Sequence, residues 1–209
     1  PLWRKKPRCL EFGSGAGFPF AVEETMDIAS FPMVRQDGTP AYASDLKGKT
    51  VAFYFSAHWC PPCRGFTPVL RKFYETLKAR GENIEIVFFS SDKDPASFTE
   101  YFKNDHGPWL AVAFGSPEIQ QVAKHYQVRG IPHLVVVNAK GECVVTGDEA
   151  RGHVGNAKSE ADVLEAFRHW KNAAGDWRES AGTALGAAPQ PASAPAPAPP
   201  ADGPGAAPA

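Results

Sequence analysis

Two short stretches of the chain are apolar at nearly every position: Val51-Ala52-Phe53-Tyr54-Phe55 and Ile84-Glu85-Ile86-Val87-Phe88-Phe89. Near-continuous apolar runs of this length read as strands covered on both faces, the pattern of a central parallel sheet. Between them Phe66, Leu70, Phe73, Tyr74 and Leu77 recur at three- and four-residue steps. That spacing predicts a helix closing near Arg80-Gly81, with Pro68 expected to kink it. Ahead of this unit a short strand is expected from Ile28 to Val34, followed by a turn at Asp37-Gly38.

Beyond it, Asp94-Pro95 reads as an N-cap and first helical residue, with Phe98, Tyr101 and Phe102 as the buried face. Trp109 to Phe114 reads as extended, and Ser116-Pro117-Glu118 repeats the cap-and-proline device before Ile119, Val122, Ala123 and Tyr126. His133 to Val137 and Glu142 to Thr146, joined by Asn138-Ala139-Lys140-Gly141, predict a hairpin. Ser159-Glu160-Ala161-Asp162 then opens a last amphipathic helix carrying Val163, Leu164, Phe167 and Trp170. The order predicts an α/β domain over residues 26–174, large enough to bury a core.

Composition changes the picture at the two ends. From Gly175 the chain collapses into Ala, Pro and Gly, which have little side chain to bury, so 175–209 is expected to be a disordered tail. Residues 1–25 hold Arg4-Lys5-Lys6-Pro7-Arg8 and a glycine-rich patch, read as a flexible leader whose basic cluster has the composition of a nuclear address. With 22 basic and 23 acidic residues, the charge balance gives no support for nucleic-acid binding. No apolar run reaches transmembrane length, so no membrane association is expected.

Chemistry concentrates at Trp59-Cys60-Pro61-Pro62-Cys63-Arg64, where the first apolar strand hands over to the helix. Zinc would need a second ligand cluster, and the remaining cysteines, Cys9 and Cys143, lie far apart, so no metal is expected. Inert structural cysteines are a second reading. Dithiol-disulfide exchange fits best, because two intervening residues leave both sulfurs at one helix start, whose free N–H groups favour a thiolate. Position then makes Cys60 the exposed nucleophile and Cys63, one turn in, the resolving thiol. Pro61 and Pro62 are tolerated there because first-turn N–H groups have no helical partner.

The run from Trp59 to Pro68 resembles the active-site segment of tryparedoxins and nucleoredoxins, within the thioredoxin superfamily. The resemblance continues through Tyr54-Phe55-Ser56-Ala57, Pro108-Trp109-Leu110-Ala111-Val112 and Gly130-Ile131-Pro132. It implies a thioredoxin-like fold, a central mixed sheet flanked by helices, with Ile131-Pro132 as a cis-proline turn facing the dithiol. It also implies that Ile131 and Pro132 present backbone to substrate; Trp59, bordering the nucleophile, reads as a substrate-facing platform, and Arg64 as support for the motif. Two positions depart from relatives. Tyr54 stands where thioredoxins carry a buried Asp, six residues before the first cysteine. Ser91 stands near where tryparedoxins carry Trp, which leaves the reductant open among glutathione, a thioredoxin reductase and other thiol donors.

The expected activity is therefore reduction of protein disulfides by a monomer without cofactor, in the cytoplasm or nucleus, fed by an unidentified thiol reductant and serving cell redox homeostasis. A peroxidase is disfavoured, since peroxiredoxins set Thr or Ser three residues before the reactive cysteine and Pro seven before. Here those places are Ala57 and Phe53. The alternative from another class is a redox-sensitive partner-binding module.

Overall fold

The computed structural model describes residues 28–175. The expected leader and nearly all of the expected tail lie outside the described residues. Seven strands form one sheet: β1 (Met33–Val34), β2 (Pro40–Ala41), β3 (Thr50–Ser56), β4 (Ile84–Ser90), β5 (Leu110–Val112), β6 (His133–Val137) and β7 (Cys143–Val145). Their order is β2-β1-β5-β4-β3-β6-β7. The three central strands β5, β4 and β3 run parallel, and β1, β2, β6 and β7 add antiparallel edges. Among the described residues five α-helices accompany the sheet: α1 (Pro61–Ala79), α2 (Pro95–Asn104), α3 (Glu118–His125), α4 (Gly147–Asn156) and α5 (Glu160–Ala174). This is the mixed sheet flanked by helices that the resemblance implied.

The near-continuous apolar runs explain themselves in the register. All seven residues of β3 and of β4 are buried. Alternate β3 side chains serve two cores: Ala52 and Tyr54 pack with Leu70, Phe73 and Leu77 of α1 and Phe167 and Trp170 of α5. Val51, Phe53 and Phe55 pack on the other face with Val122 of α3 and with Phe31 and Leu46. Each fully buried Val or Phe contributes about 1.5–3 kcal/mol, which makes β3 a firm platform. The site is built at its C-terminal end.

Four expectations need correction. Residues Ile28–Ser30 form a 3₁₀ turn, and only Met33–Val34 pair as strand, because Pro32 cannot donate to a ladder. The extended stretch from Trp109 shrinks to Leu110–Val112. Helix α3 starts one residue later than the Ser116 cap implied, with Pro117 at its N-cap and no side-chain cap bond. And α4 was not foreseen at all. Helix α1 is continuous through Pro68, whose ring is exposed, and the burial of Leu70, Phe73 and Leu77 holds the later turns. The caps at Asp94, which accepts from Ser97 N, and at Ser159, in a capping box with Asp162, are as expected.

Candidate active site

Cys60 is the N-cap of α1, and its Sγ accepts from the backbone N–H of Cys63 at 3.3 Å. A sulfur thus occupies the place where a Ser or Asp oxygen usually satisfies a free helix-start donor. Cys60 and Cys63 are joined as a disulfide, their Cα atoms 5.2 Å apart. Pro61 and Pro62 fill the first two helical positions and are exposed. Cys60, expected to be exposed, is only 3% exposed. In the disulfide form its sulfur packs against Ala57 and Ile131, and the Ile131 carbonyl lies 3.7 Å from Sγ.

Ile131-Pro132 is a cis peptide bond, as the resemblance implied, and it leads into β6 beside β3. Behind it stands α4, which sequence reasoning missed. Arg151 Nη1 donates to the Pro132 carbonyl at 2.9 Å, and Nη2 donates to Asp148 Oδ1 at 3.1 Å. His133 packs so closely on Gly147 that a Cβ there would overlap the imidazole. Burial, and then the Arg151 charge, lower the pKa of His133 and keep it neutral. Gly147→Ala is accordingly expected to cost about 1–3 kcal/mol of stability, read as a lower urea midpoint at unchanged slope.

Trp59 is 55% exposed beside Cys60, while Trp109 is buried, as expected. The Trp59 indole N–H donates to the Ser91 carbonyl at 3.0 Å, and Lys93 Nζ lies 5.8 Å from its ring centroid. Asp92 ties this loop to the motif, accepting from the His58 N–H at 2.7 Å and from Ser90 Oγ at 2.8 Å. His58 stacks on Tyr101 with ring centroids 5.5 Å apart. Arg64 is exposed on the first turn of α1, and its backbone N–H donates to the Cys60 carbonyl.

Under Cys63 lies a buried hydroxyl network. Thr67 Oγ1 donates to the Cys63 carbonyl at 2.9 Å and contacts both Tyr54 OH, at 2.8 Å, and Tyr101 OH. Ser56 Oγ lies 3.0 Å from Tyr101 OH. Each hydroxyl has one proton, so the directions follow: both tyrosines donate to Thr67, and Ser56 donates to Tyr101. Burial, with a smaller contribution from Tyr101, raises the Tyr54 phenol well above its ordinary pKa. The position six residues before Cys60 therefore holds a neutral donor within a satisfied network. It orients the first turn of α1 and takes up no proton near neutrality.

Other groups with chemical potential lie elsewhere. Glu149, His153 and His169 bring possible ligand atoms within 4.8 Å of one another. But His153 Nδ1 accepts from the Trp170 indole at 3.0 Å, which puts the imidazole proton on Nε2. Offering that nitrogen to a metal would break the indole bond, so the cluster reads as a link between α4 and α5. A cavity of about 330 Å³ at the opposite end of the sheet is lined by Arg35, Asp45, Lys49 and Glu85. Its charges pair internally, Arg35 with Asp45 at 2.8 Å and Lys49 with Glu85 at 2.6 Å. No helix among the described residues is long and apolar enough to cross a membrane.

Comparison with known proteins gives a consistent answer. A family model described as thioredoxin-like matches residues 48–143. Probable nucleoredoxin 1 of Arabidopsis thaliana is 49% identical over 109 residues, which are 52% of this chain and 18% of that protein. Tryparedoxin of Trypanosoma brucei brucei is 43% identical over 110 residues, covering 52% of this chain and 74% of that protein. The solved thioredoxin from Wuchereria bancrofti superposes with a TM-score of 0.56 at 40% identity, covering 67% of this chain and 95% of that one. The chain thus spans less than a fifth of the plant relative and about three quarters of the trypanosomal one.

Proposed function

Because the chain belongs to the nucleoredoxin and tryparedoxin family of thioredoxin-like proteins, we propose that it is a thiol-disulfide oxidoreductase that reduces protein disulfides through Cys60 and Cys63. The observation that carries this reading is the disulfide at the start of α1, with the Ile131 carbonyl against its outer sulfur.

In the reduced protein the Cys63 N–H and the α1 dipole favour a thiolate on Cys60. That thiolate attacks one sulfur of the substrate disulfide. A Cys60–substrate disulfide forms and the other substrate sulfur leaves as a thiolate that takes a proton. Cys63, once deprotonated, attacks Cys60 Sγ, the second substrate sulfur departs, and the Cys60–Cys63 disulfide remains. Two electrons have passed to the substrate, and an external thiol reductant restores the dithiol. The Tyr54 network stays neutral, so the Cys63 proton goes to the departing thiolate or to solvent. Trp59, half exposed and anchored through Ser91, offers an apolar platform at the edge of the sulfur, and Ile131 and Pro132 offer backbone. We assign the activity to a monomer in the cytoplasm or nucleus, where thiol reductants keep such a dithiol reduced.

The test is dithiothreitol-driven reduction of insulin. The protein is expected to accelerate precipitation of the insulin B chain well above dithiothreitol alone, and a rate equal to that background would overturn the reading.

A further inference from the structure

The proposed reductase activity leaves the kind of disulfide open, and resting on that reading we propose that the rim of the site receives protein disulfides flanked by acidic residues. Three loops border Cys60: 57–62, 90–94 and 127–132. Their charged residues, with those of the first turn of α1, are His58, Arg64, Asp92, Lys93, Asp94 and Arg129.

The acids among them are occupied. Asp92 holds His58 N and Ser90 Oγ, and Asp94 caps α2 through Ser97 N and Oγ, each at 2.8 Å. Asp148, behind Pro132, is paired with Arg151. The cations are not. Arg64, Lys93 and Arg129 are all exposed, and among the described residues none has a side-chain hydrogen bond or ion pair. Lys93 stands over the Trp59 ring. Arg64 is within one backbone hydrogen bond of Cys60, at 3.1 Å. Arg129 is two residues before Ile131, so its Cα lies within about 7 Å of that Cα.

The three cations stand on the three segments that border Cys60, so a peptide whose disulfide reaches Cys60 meets them at the rim. Carboxylates beside its cysteines find unpaired donors there, whereas lysines meet three cations against two carboxylates whose oxygens already accept hydrogen bonds. Such rim charges act mainly on encounter and specificity, and they fade as salt screens them.

The experiment uses synthetic peptides closed by one disulfide, identical except for flanking Glu, Gln or Lys residues, with oxidised glutathione as a separate arm. kcat/KM above the background of the driving dithiol is expected to favour the Glu peptide over the Lys peptide by about tenfold at low salt, shrinking toward unity at about 0.5 M. In a Lys93→Glu, Arg129→Glu double variant the order should invert. Equal rates on the three peptides, or a preference indifferent to salt, would overturn the proposal. So would preference for oxidised glutathione without discrimination among peptides, because the cations would then serve a small tripeptide. Failure to reduce even the Gln peptide would remove the reductase reading itself, and this inference with it.

Discussion

Serine at Cys60 is expected to bring insulin reduction down to the dithiothreitol background, whereas serine at Cys63 should abolish multiple turnover but leave the first attack intact. The asymmetry comes from position on α1. Cys60 is the N-cap, so its sulfur alone receives the Cys63 N–H and stands next to the half-exposed Trp59. Cys63 is fully buried over the Thr67 hydroxyl and can reach a partner only through Cys60. A serine hydroxyl at neutral pH has no significant anionic fraction, and without the anion there is no nucleophile. The Cys63→Ser protein should instead accumulate a covalent complex with its substrate, stable on a non-reducing gel and released by excess dithiol. Iodoacetamide should label Cys60 in that variant below the pH at which a free cysteine reacts. Equal turnover by wild type and Cys60→Ser would exclude the mechanism. Partner binding by Cys60→Ser without turnover in the wild type would favour a redox-sensitive binding module.

The part of this site that the sequence announced is the part built from neighbours in the chain. The dithiol, its prolines and the strand-to-helix handover sit within one turn of each other, and spacing alone brings the sulfurs together. The facing Ile131-Pro132 was readable only through resemblance, because nothing local says which strand β6 will join. The hydroxyl floor was unreadable. Thr67 meets Tyr101 across 34 positions, and Ser56 meets it across 45, so the pairing exists only once β3, α1 and α2 are packed. Helix α4 was hidden for a different reason. Its sequence holds Gly152 inside, costing close to 1 kcal/mol relative to Ala in a helix interior, with Gly147 at its first position and Gly155 one before its last, so propensity argues against it. Burial of Ala150 and Val154 in the main core overrides that cost. One of those glycines is there because His133 leaves no room for a side chain. Missing α4 meant missing Arg151, the residue that holds the Pro132 carbonyl.

His106 is expected to make the fold acid-labile, with a stability loss of about 1.4 kcal/mol per pH unit below its unfolded pKa. The ring is 2% exposed and caged by Phe88, Tyr101 and Trp109, with centroids 4.2, 4.4 and 5.3 Å away. The Trp109 indole donates to its Nδ1 at 3.1 Å, so the neutral ring carries its proton on Nε2, which has no partner among the described residues. A second proton would have to enter at Nδ1, breaking the indole bond and leaving a cation in an aromatic core. Burial therefore lowers the pKa from 6.5 to about 3. The sign follows from proton counting. Between those values the unfolded chain binds a proton that the folded chain refuses, so the stabilisation is full above about pH 6.5 and disappears progressively as pH falls. The full loss is roughly 4–5 kcal/mol, a large fraction of the 5–15 kcal/mol that holds a typical domain. His133 and His153, also lowered by burial, act in the same direction, so the contribution of His106 must be isolated as a difference. His106→Phe should be less stable than wild type at pH 7 by about 1–3 kcal/mol, because the Trp109 N–H loses its acceptor. On acidification the gap should close by about 1.4 kcal/mol per unit and then reverse, since phenylalanine has no proton to exclude. Urea midpoints for the two proteins at pH 7, 5.5 and 4.5 would show the crossing; parallel curves would mean that His106 is protonated in the folded state and that the cage does not exclude the charge.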